Sequence, residues 1–120
     1  GKLEKNILEK IIKKTQGGGA EIVKLLEKGS AFYAPAASGV EMAESYLKDL
    51  KKQLPCAAYL DHRYGVENLY VGVPVIIGQK GVEKIIELKL SNEEEKNFKN
   101  SIIAVQDLFN AAKKIDPTLN

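Results

Sequence analysis

Three consecutive glycines, Gly17 to Gly19, separate two apolar stretches in the segment KKTQGGGAEIV. A glycine run ahead of a helix can hold phosphate on its backbone amides. A dinucleotide-binding fingerprint, however, follows a strand, and its third glycine would fall at Ile22. A phosphate-binding loop ends in Gly-Lys-Ser/Thr, whereas Gly19 is followed by Ala-Glu. The spacing excludes both nucleotide motifs. It predicts a helix break or a point of close packing, since each glycine costs a helix about 1 kcal/mol relative to alanine.

His62 is the only histidine, and it follows Asp61. An imidazole oriented by a carboxylate can act as a general base. Adjacent side chains rarely meet in the geometry that this chemistry needs, and the segment DHRYG has the composition of a turn. We therefore predict an exposed turn histidine without a catalytic role. None of the serines has the sequence context of a nucleophile elbow.

Cys56 is the only cysteine and lies in an apolar run, which predicts a buried thiol of structural character. Without a cysteine–histidine cluster, no metal site is assigned. The 120 residues suffice for one domain, and a net charge of +2 disfavours a nucleic-acid partner. No apolar run is long enough to cross a bilayer, so we expect no membrane partner.

The elements that position these residues begin with helices. Leu3, Ile7 and Ile11 recur at a four-residue interval and predict one face of a first helix. A second helical stretch follows the glycines, with Gly29 predicted as its C-cap. A third begins near Ser30, which could cap it, and Pro35 is tolerated there only in the first turn.

Beyond Cys56 the apolar period changes to two. Five alternating residues predict a strand with one buried face: Leu69, Val71, Val73, Val75 and Ile77. Pro74 within it predicts an edge strand or a bulge, because proline lacks an amide donor. Turn signals at residues 64–65 and 78–81 divide the region into a three-stranded antiparallel meander, whose last strand extends towards Leu90.

The last segment combines a helix start signal with a helical apolar face. Ser91 and Glu94 fit a capping box, and Pro117 is expected to stop the helix. One face carries Phe98, Ile102, Val105, Phe109 and Ala112. Helices, then strands, then a helix predict an α+β fold in which an antiparallel sheet packs with helices.

Four stretches together resemble one enzyme family. They read GGGAEIVKLLEKGSAFYAPAAS, LPCAAYL, YGVENLYVGVPVIIGQKGVEKIIEL and SIIAVQDLF. In this order, over nearly the whole chain, they are similar to the C-terminal catalytic domain of bacterial, lactate dehydrogenase-like malate dehydrogenases. The resemblance implies the α+β fold of that domain. It also implies a parent enzyme that oxidises malate reversibly to oxaloacetate with NAD, as a cytoplasmic homo-oligomer of the tricarboxylic acid cycle.

The same resemblance implies that residues 1–120 are the C-terminal part of the enzyme, without the N-terminal NAD-binding Rossmann domain. The family's catalytic histidine lies in a Gly-x-His-Gly stretch, which this sequence lacks. Arg63, the only arginine, matches none of the substrate arginines. We therefore assign no catalytic residue and expect the chain alone to be inactive, because catalysis needs a positioned cofactor and proton-transfer group.

The segment GSAFYAPA is similar to the turn and helix start that line the family's substrate and nicotinamide pocket. The resemblance implies that Ser30 and Ala31 are substrate-adjacent and that Pro35 is cofactor-adjacent. A purely capping role for Ser30 is the alternative. The Gly-Ser-Ala form favours malate dehydrogenase over a lactate dehydrogenase-type 2-hydroxy acid dehydrogenase. A non-enzymatic module that binds a protein through its alanine-rich helix is the competing class.

Overall fold

The computed structural model describes residues 3–119. Its elements are α1 (Lys5–Leu26), α2 (Tyr33–Leu47), β1 (Lys52–Arg63), β2 (Val66–Gly78), β3 (Gly81–Ile85) and α3 (Asn92–Ile115). This order confirms the predicted α+β class. The chain divides into two compact units, Gly1–Glu41 and Met42–Asn120, which we call the helical unit and the sheet unit. No helix within residues 3–119 is long and apolar enough to span a membrane.

Helix α1 of the helical unit runs without interruption through Gly17, Gly18 and Gly19, so the predicted break is wrong. The alternative of a close-packing point also fails within the described residues, because a Cβ added at any of the three would meet nothing within 4 Å. A break would leave the backbone groups of two additional helix ends without partners. Continuity avoids that cost, which offsets about 1 kcal/mol for each glycine.

The connection between α1 and α2 differs from the prediction at both ends. Helix α1 ends at Leu26, and its C-cap is Glu27, whose φ of 58° lies in the left-handed region. The predicted cap, Gly29, therefore comes two residues too late. Helix α2 begins at Tyr33, after Phe32, so Ser30 is too far upstream to cap it. The helix ends are set by the residues that leave helical angles, and Glu27 does so before the glycine.

The sheet unit contains the predicted antiparallel meander in the order β1-β2-β3. Alternate residues of the two long strands form the core, as predicted for β2: Cys56, Ala58, Leu60, Val66, Leu69, Val71, Val73, Val75 and Ile77. Helix α3 adds Phe98, Ile102 and Val105 from its predicted apolar face. Its capping box is confirmed, because the Ser91 hydroxyl accepts from the Glu94 amide and the Glu94 carboxylate accepts from the Ser91 amide.

Pro74 lies in the central strand and not at a register shift, so neither the predicted edge strand nor the predicted bulge is found there. Its register partner on β1 is Pro55. On the opposite side, the Pro74 carbonyl accepts from the Ile86 amide at 2.9 Å. Because the amide and carbonyl of a strand residue point to the same side, the amide that Pro74 lacks would face away from β1. The ladder between β1 and β2 therefore loses no bond at this proline.

Strand β3 ends at Ile85 and is shorter than predicted. The chain after it bonds to a side chain instead of to a strand. The Tyr64 hydroxyl donates to the Ile86 carbonyl at 2.6 Å and accepts from the Leu88 amide at 2.9 Å. The Tyr64 ring also packs on Phe98 of α3, with centroids 5.1 Å apart. One tyrosine thus satisfies backbone groups that a longer strand pair would have used.

Candidate functional site

The predicted substrate- and cofactor-adjacent residues lie on one connection of the helical unit. Gly29 shapes this connection, because its φ of 96° is one that residues with a Cβ rarely adopt. A Cβ at Gly29 would also lie 2.9 Å from the Phe32 ring. The turn therefore requires glycine at this position both for its backbone angle and for space. It brings Ser30 and Ala31 directly before the start of α2.

The start of α2 presents backbone donors without a competing acid. The first bond of the helix runs from the Ala36 amide to the Phe32 carbonyl at 3.0 Å. The amides of Tyr33 and Ala34 precede that bond and lack partners within the helix. Pro35 has no amide and lies in the first turn, as predicted. The first turn holds no acidic residue, so this end of the helix dipole favours an anion.

Ser30 is exposed and Ala31 is half-buried. The Ser30 hydroxyl has no hydrogen-bond partner among the residues that the structure describes, so it can serve a ligand. Ala31 carries only a methyl group, which leaves space in front of the helix start. Pro35 follows with an apolar ring. The three residues supply a hydroxyl, a methyl group and an apolar ring, and none of them is a group that could move a proton.

His62 lies in the sheet unit, near the end of β1 and before the turn at residues 64–65, so its predicted position in a turn is wrong. Its side chain is 73% exposed, which confirms the predicted exposure. Nε2 lies 3.4 Å from Asp61 Oδ1, an ion-pair distance. No hydrogen bond joins the two side chains within the described residues, so they do not show the geometry of a base and its orienting carboxylate. A second carboxylate, from Glu67, is 2.7 Å from Nδ1. A bulge in β1 turns the two adjacent side chains to the same region, which the spacing of a regular strand would not do.

Cys56 is buried, as predicted, and burial raises the pKa of its thiol above the ordinary value. A thiol in this state is a poor nucleophile, because the thiolate is the reactive form. Within residues 3–119, no group of three or more histidine, cysteine or acidic side chains could hold a metal ion.

Sequence reasoning missed the polar side chains that fasten the C-terminal end of α2 in the sheet unit. Ser45 is fully buried, donates to the Ile77 carbonyl at 2.7 Å and accepts from the Lys52 amide at 3.2 Å. Both of its partners are backbone groups near strand ends. The sequence offers no signal for this role, because the residues one turn before and after Ser45 are mostly polar. Ser45 is thus structural, since its hydroxyl is fully occupied.

Asp49, Lys51 and Glu83 form a charged cluster at the β2–β3 turn. Lys51 Nζ lies 3.0 Å from Asp49 Oδ1 and 2.5 Å from Glu83 Oε2. The Gln79 amide, followed by Lys51, holds the pKa of Asp49 below its usual range. Lys51 does the same for the pKa of Glu83. A Cβ at Gly78 would lie 2.6 Å from Asp49 Oδ1, so a larger residue there would displace the carboxylate ends of the cluster. Both carboxylates are paired with Lys51, and the cluster suggests no substrate site.

An open groove of about 570 Å³ lies along the three strands. Its walls include the register partners Tyr59 and Tyr70, whose ring centroids are 5.4 Å apart. The Tyr59 hydroxyl donates to Asn68 at 2.7 Å. The charged side chains at its rim are Arg63, Glu83 and Lys84. The Glu83 carboxylate is paired with Lys51, and the lining residues form no arrangement that suggests a reaction.

A family model described as the lactate/malate dehydrogenase, alpha/beta C-terminal domain matches residues 1–115. The chain belongs to this family. The resemblance read from the sequence is therefore confirmed, and so is the fold class.

The relatives of this dehydrogenase domain include both substrate types. Malate dehydrogenase from Pelagibacter ubique (strain HTCC1062) is 62% identical over 120 residues, which cover all of this chain and 38% of that protein. The crystal structure of malate dehydrogenase from Cryptosporidium parvum superposes with a TM-score of 0.90 and 49% identity, covering 93% of this chain and 36% of that one. Lactate dehydrogenase from Eimeria maxima, solved with NADH and oxamate, gives a TM-score of 0.90 and 46% identity, covering 97% and 36%.

The dehydrogenase domain thus spans about two fifths of the length of the curated malate dehydrogenase that it matches. Its similarity is distributed along the chain and is not confined to one motif. The glycine run, the Gly-Ser-Ala turn and the meander all fall within the matched residues.

Proposed function

We propose that this chain is the C-terminal catalytic-domain part of an NAD-dependent malate dehydrogenase, which oxidises malate reversibly to oxaloacetate. The 62% identity to a malate dehydrogenase over every residue of the chain supports this most strongly. We also propose that the NAD-binding Rossmann domain belongs to the part of the enzyme outside residues 1–120. The cellular setting that goes with this reaction is a cytoplasmic enzyme of the tricarboxylic acid cycle.

Within this reaction, Ser30 and Ala31 are proposed to lie beside the dicarboxylic acid. The free amides at the start of α2 and the unpaired Ser30 hydroxyl support a role in orienting a carboxylate. The methyl group of Ala31 leaves room for it. His62 receives no proton-transfer role, because both of its ring nitrogens already face carboxylates.

The apolar ring of Pro35 fits the edge of a nicotinamide, and the first turn of α2 carries no acid that would compete with substrate. NAD, when bound, supplies the hydride acceptor. The described residues hold no glycine fingerprint for its pyrophosphate. Pro35 is therefore proposed to be cofactor-adjacent only, with the remaining contacts made outside this chain.

A graft tests the proposal. Residues 1–120 replace the matching segment of the Pelagibacter ubique enzyme, and NADH-linked oxaloacetate reduction is measured. We expect turnover within about tenfold of that parent if the grafted segment keeps the pocket geometry. A displacement of about 1 Å in a catalytic pocket can lower the rate about a hundredfold, so a poorly fitting segment would be detected. The 120-residue chain alone is expected to show no turnover. A folded graft that binds NADH but does not reduce oxaloacetate contradicts the proposal.

Substitution of Ala31 by leucine in the graft tests the site. The larger side chain is expected to lower kcat/KM for oxaloacetate by about a hundredfold through displacement of the substrate. Ala111→Leu on the exposed side of α3 is the matched control. It is expected to change kcat/KM for oxaloacetate by less than about twofold. Equal effects of the two substitutions would remove Ala31 from the site.

A lactate dehydrogenase-type enzyme is the second candidate, because the Eimeria maxima structure matches the chain as well as the malate dehydrogenase structure does. The same 120 residues can be grafted into that enzyme and assayed with pyruvate. Activity in the lactate dehydrogenase graft together with inactivity in the malate dehydrogenase graft would favour the second candidate. The opposite pattern favours malate dehydrogenase.

The enzyme is also proposed to be a homo-oligomer. Apolar side chains of α1 are about half exposed, including Ile7, Leu8, Ile11 and Ile12. Soluble monomers seldom leave large apolar patches uncovered. We therefore expect the isolated chain to self-associate in light scattering, and an Ile7→Lys/Ile11→Lys variant to associate less. A strict monomer at high concentration would contradict this.

A further inference from the structure

The connection between α1 and α2 contains a contact between a glycine and an aromatic ring. A Cβ built at Gly29 would lie 2.9 Å from Cζ and 3.2 Å from Cε2 of Phe32. The ring thus occupies the space that a side chain at Gly29 would need. Apart from the two chain neighbours of Gly29, no other described residue comes within 4 Å of that position. The contact is therefore specific to this pair.

The two partners of this contact enclose the proposed substrate-adjacent residues. Ser30 and Ala31 are the residues that separate Gly29 from Phe32 along the chain. At the far end the connection is joined to α2, because the Phe32 carbonyl accepts from the Ala36 amide at 3.0 Å. The placement of Ser30 and Ala31 in front of α2 consequently depends on whether the contact is closed.

Gly29 permits this turn but does not hold it. Glycine adopts positive and negative φ about equally readily, so its φ of 96° needs a restraint from elsewhere. The Phe32 ring supplies that restraint, because other backbone angles at Gly29 would separate the two residues. The Phe32 side chain is 58% exposed and is not part of a buried core. Its removal is therefore expected to loosen the turn and to leave the fold intact.

We propose that Phe32 is a positioning residue for the substrate, which acts through Gly29 by closing the turn that carries Ser30 and Ala31. The inference rests on the proposed function, since it requires these two residues to lie beside oxaloacetate. When the turn opens, the Ser30 hydroxyl and the Ala31 methyl group leave their places before α2. Only the closed fraction binds substrate productively, so the apparent affinity falls in proportion to that fraction.

Substitution of Phe32 in the Pelagibacter ubique graft tests this proposal. Phe32→Ala is expected to raise KM for oxaloacetate about tenfold, because the turn is released. KM for NADH is expected to stay nearly unchanged, since most cofactor contacts are proposed to lie outside this chain. Phe32→Leu ends before the ring carbons that reach Gly29 and is expected to raise KM as well. Phe32→Met keeps an apolar side chain of sufficient reach and is expected to restore most of the affinity.

Tyr46→Ala is the matched control for these variants. It removes an aromatic side chain of similar exposure, 48%, from the other end of α2 and is expected to leave KM for oxaloacetate unchanged. A residue that only stabilises the fold would lower the amount of active enzyme. That loss reduces the apparent kcat but does not alter KM, so KM separates positioning from stability. The pair Phe32→Leu and Phe32→Met gives the same separation if Phe32→Ala does not fold.

A double variant tests whether Phe32 acts through Gly29. Gly29→Ala disturbs the same turn, because alanine rarely adopts this φ and its Cβ would meet the ring. Adding Phe32→Ala to Gly29→Ala is therefore expected to raise KM little further, whereas independent residues would multiply their effects. Multiplying effects would overturn the proposal. So would an active graft in which Phe32→Ala keeps its KM, or in which Tyr46→Ala raises KM equally. An unsubstituted graft without turnover would instead overturn the proposed function and this inference with it.

Discussion

The two units hold their apolar residues in opposite ways. In the sheet unit, Leu60 and Val75 are completely buried between β1, β2 and α3. In the helical unit, α1 has no buried residue, although its apolar residues follow the helical period. The same kind of sequence pattern thus accompanies a closed core in one region and an uncovered face in the other. A periodic pattern identifies the face of a helix that is suited to burial, but it does not supply the surface that covers it.

The largest effect expected from this difference comes from cutting back a leucine in each unit. Leu60→Ala leaves a cavity in the sheet core and is expected to lower the free energy of unfolding by about 2–5 kcal/mol. Leu8→Ala in α1, where the leucine is 45% exposed, is expected to cost less than about 1 kcal/mol. Urea denaturation followed by circular dichroism in dilute solution measures both. Equal losses of unfolding free energy in the two variants would show that Leu8 of α1 is as fully buried in solution as Leu60 of the sheet core.

A smaller effect is expected from two serines of α2 that differ in burial. Ser45→Ala leaves the Ile77 carbonyl and the Lys52 amide without the partner that they share, which costs about 1–3 kcal/mol. Ser38 bonds only the carbonyl of Ala34, one turn earlier on an exposed helix surface. Ser38→Ala is therefore expected to change the unfolding free energy by less than about 0.5 kcal/mol. If Ser38→Ala lowered the free energy of unfolding strongly, or Ser45→Ala left it unchanged, the expected contrast between the two serines would be wrong.

The smallest change in the free energy of unfolding is expected when the pH is lowered. The pKa values of Asp49 and Glu83 in the sheet unit are held below their ordinary values by the Gln79 amide and by Lys51. The folded state therefore binds protons less readily than the unfolded state. Its added stability is present above the ordinary carboxyl range, about pH 4, and is lost as pH falls through the lower folded values.

Urea midpoints at neutral pH and at about pH 3 measure this loss. Asp49→Asn is expected to reduce the difference between the two midpoints, because it removes one of the titrating partners of Lys51. Ser45→Ala is the control: it lowers both midpoints together, since a hydroxyl does not titrate in this range. A difference unchanged by Asp49→Asn would place the acid sensitivity outside the cluster.

Much of the sheet unit could be predicted from local sequence. The alternation from Leu69 to Ile77 and the capping box at Ser91 are short-range patterns with one dominant structural solution. The position of Pro74 in the central strand is not predictable in this way, because it depends on the missing amide facing away from β1, and residue types do not show that register. The end of β3 was misplaced because the Tyr64 hydroxyl, more than twenty residues away, bonds the following backbone.

The helical unit is harder to predict from sequence, because residue propensities alone do not fix where its helices begin and end. Gly17 to Gly19 predict a break, but α1 is continuous through them. No described residue packs against the three glycines to favour another backbone conformation. Gly29 and Ser30 have the right residue types for caps. The helix ends nevertheless lie at Leu26 and Tyr33, where the backbone enters and leaves helical angles. As a result, Ser30 stays unpaired, which leaves its hydroxyl available for the proposed substrate.

By itself, the sequence determined the family, the α+β order and the faces of β2 and α3, since these depend on residue spacing and on an ordered series of matching stretches. Only the tertiary structure decided that Ser45 is buried against two strand ends and that His62 lies between Asp61 and Glu67. Both outcomes depend on contacts between separate strands and helices. Hydrogen bonds and ion pairs act over a few ångströms, and only the folded backbone brings those groups within that range.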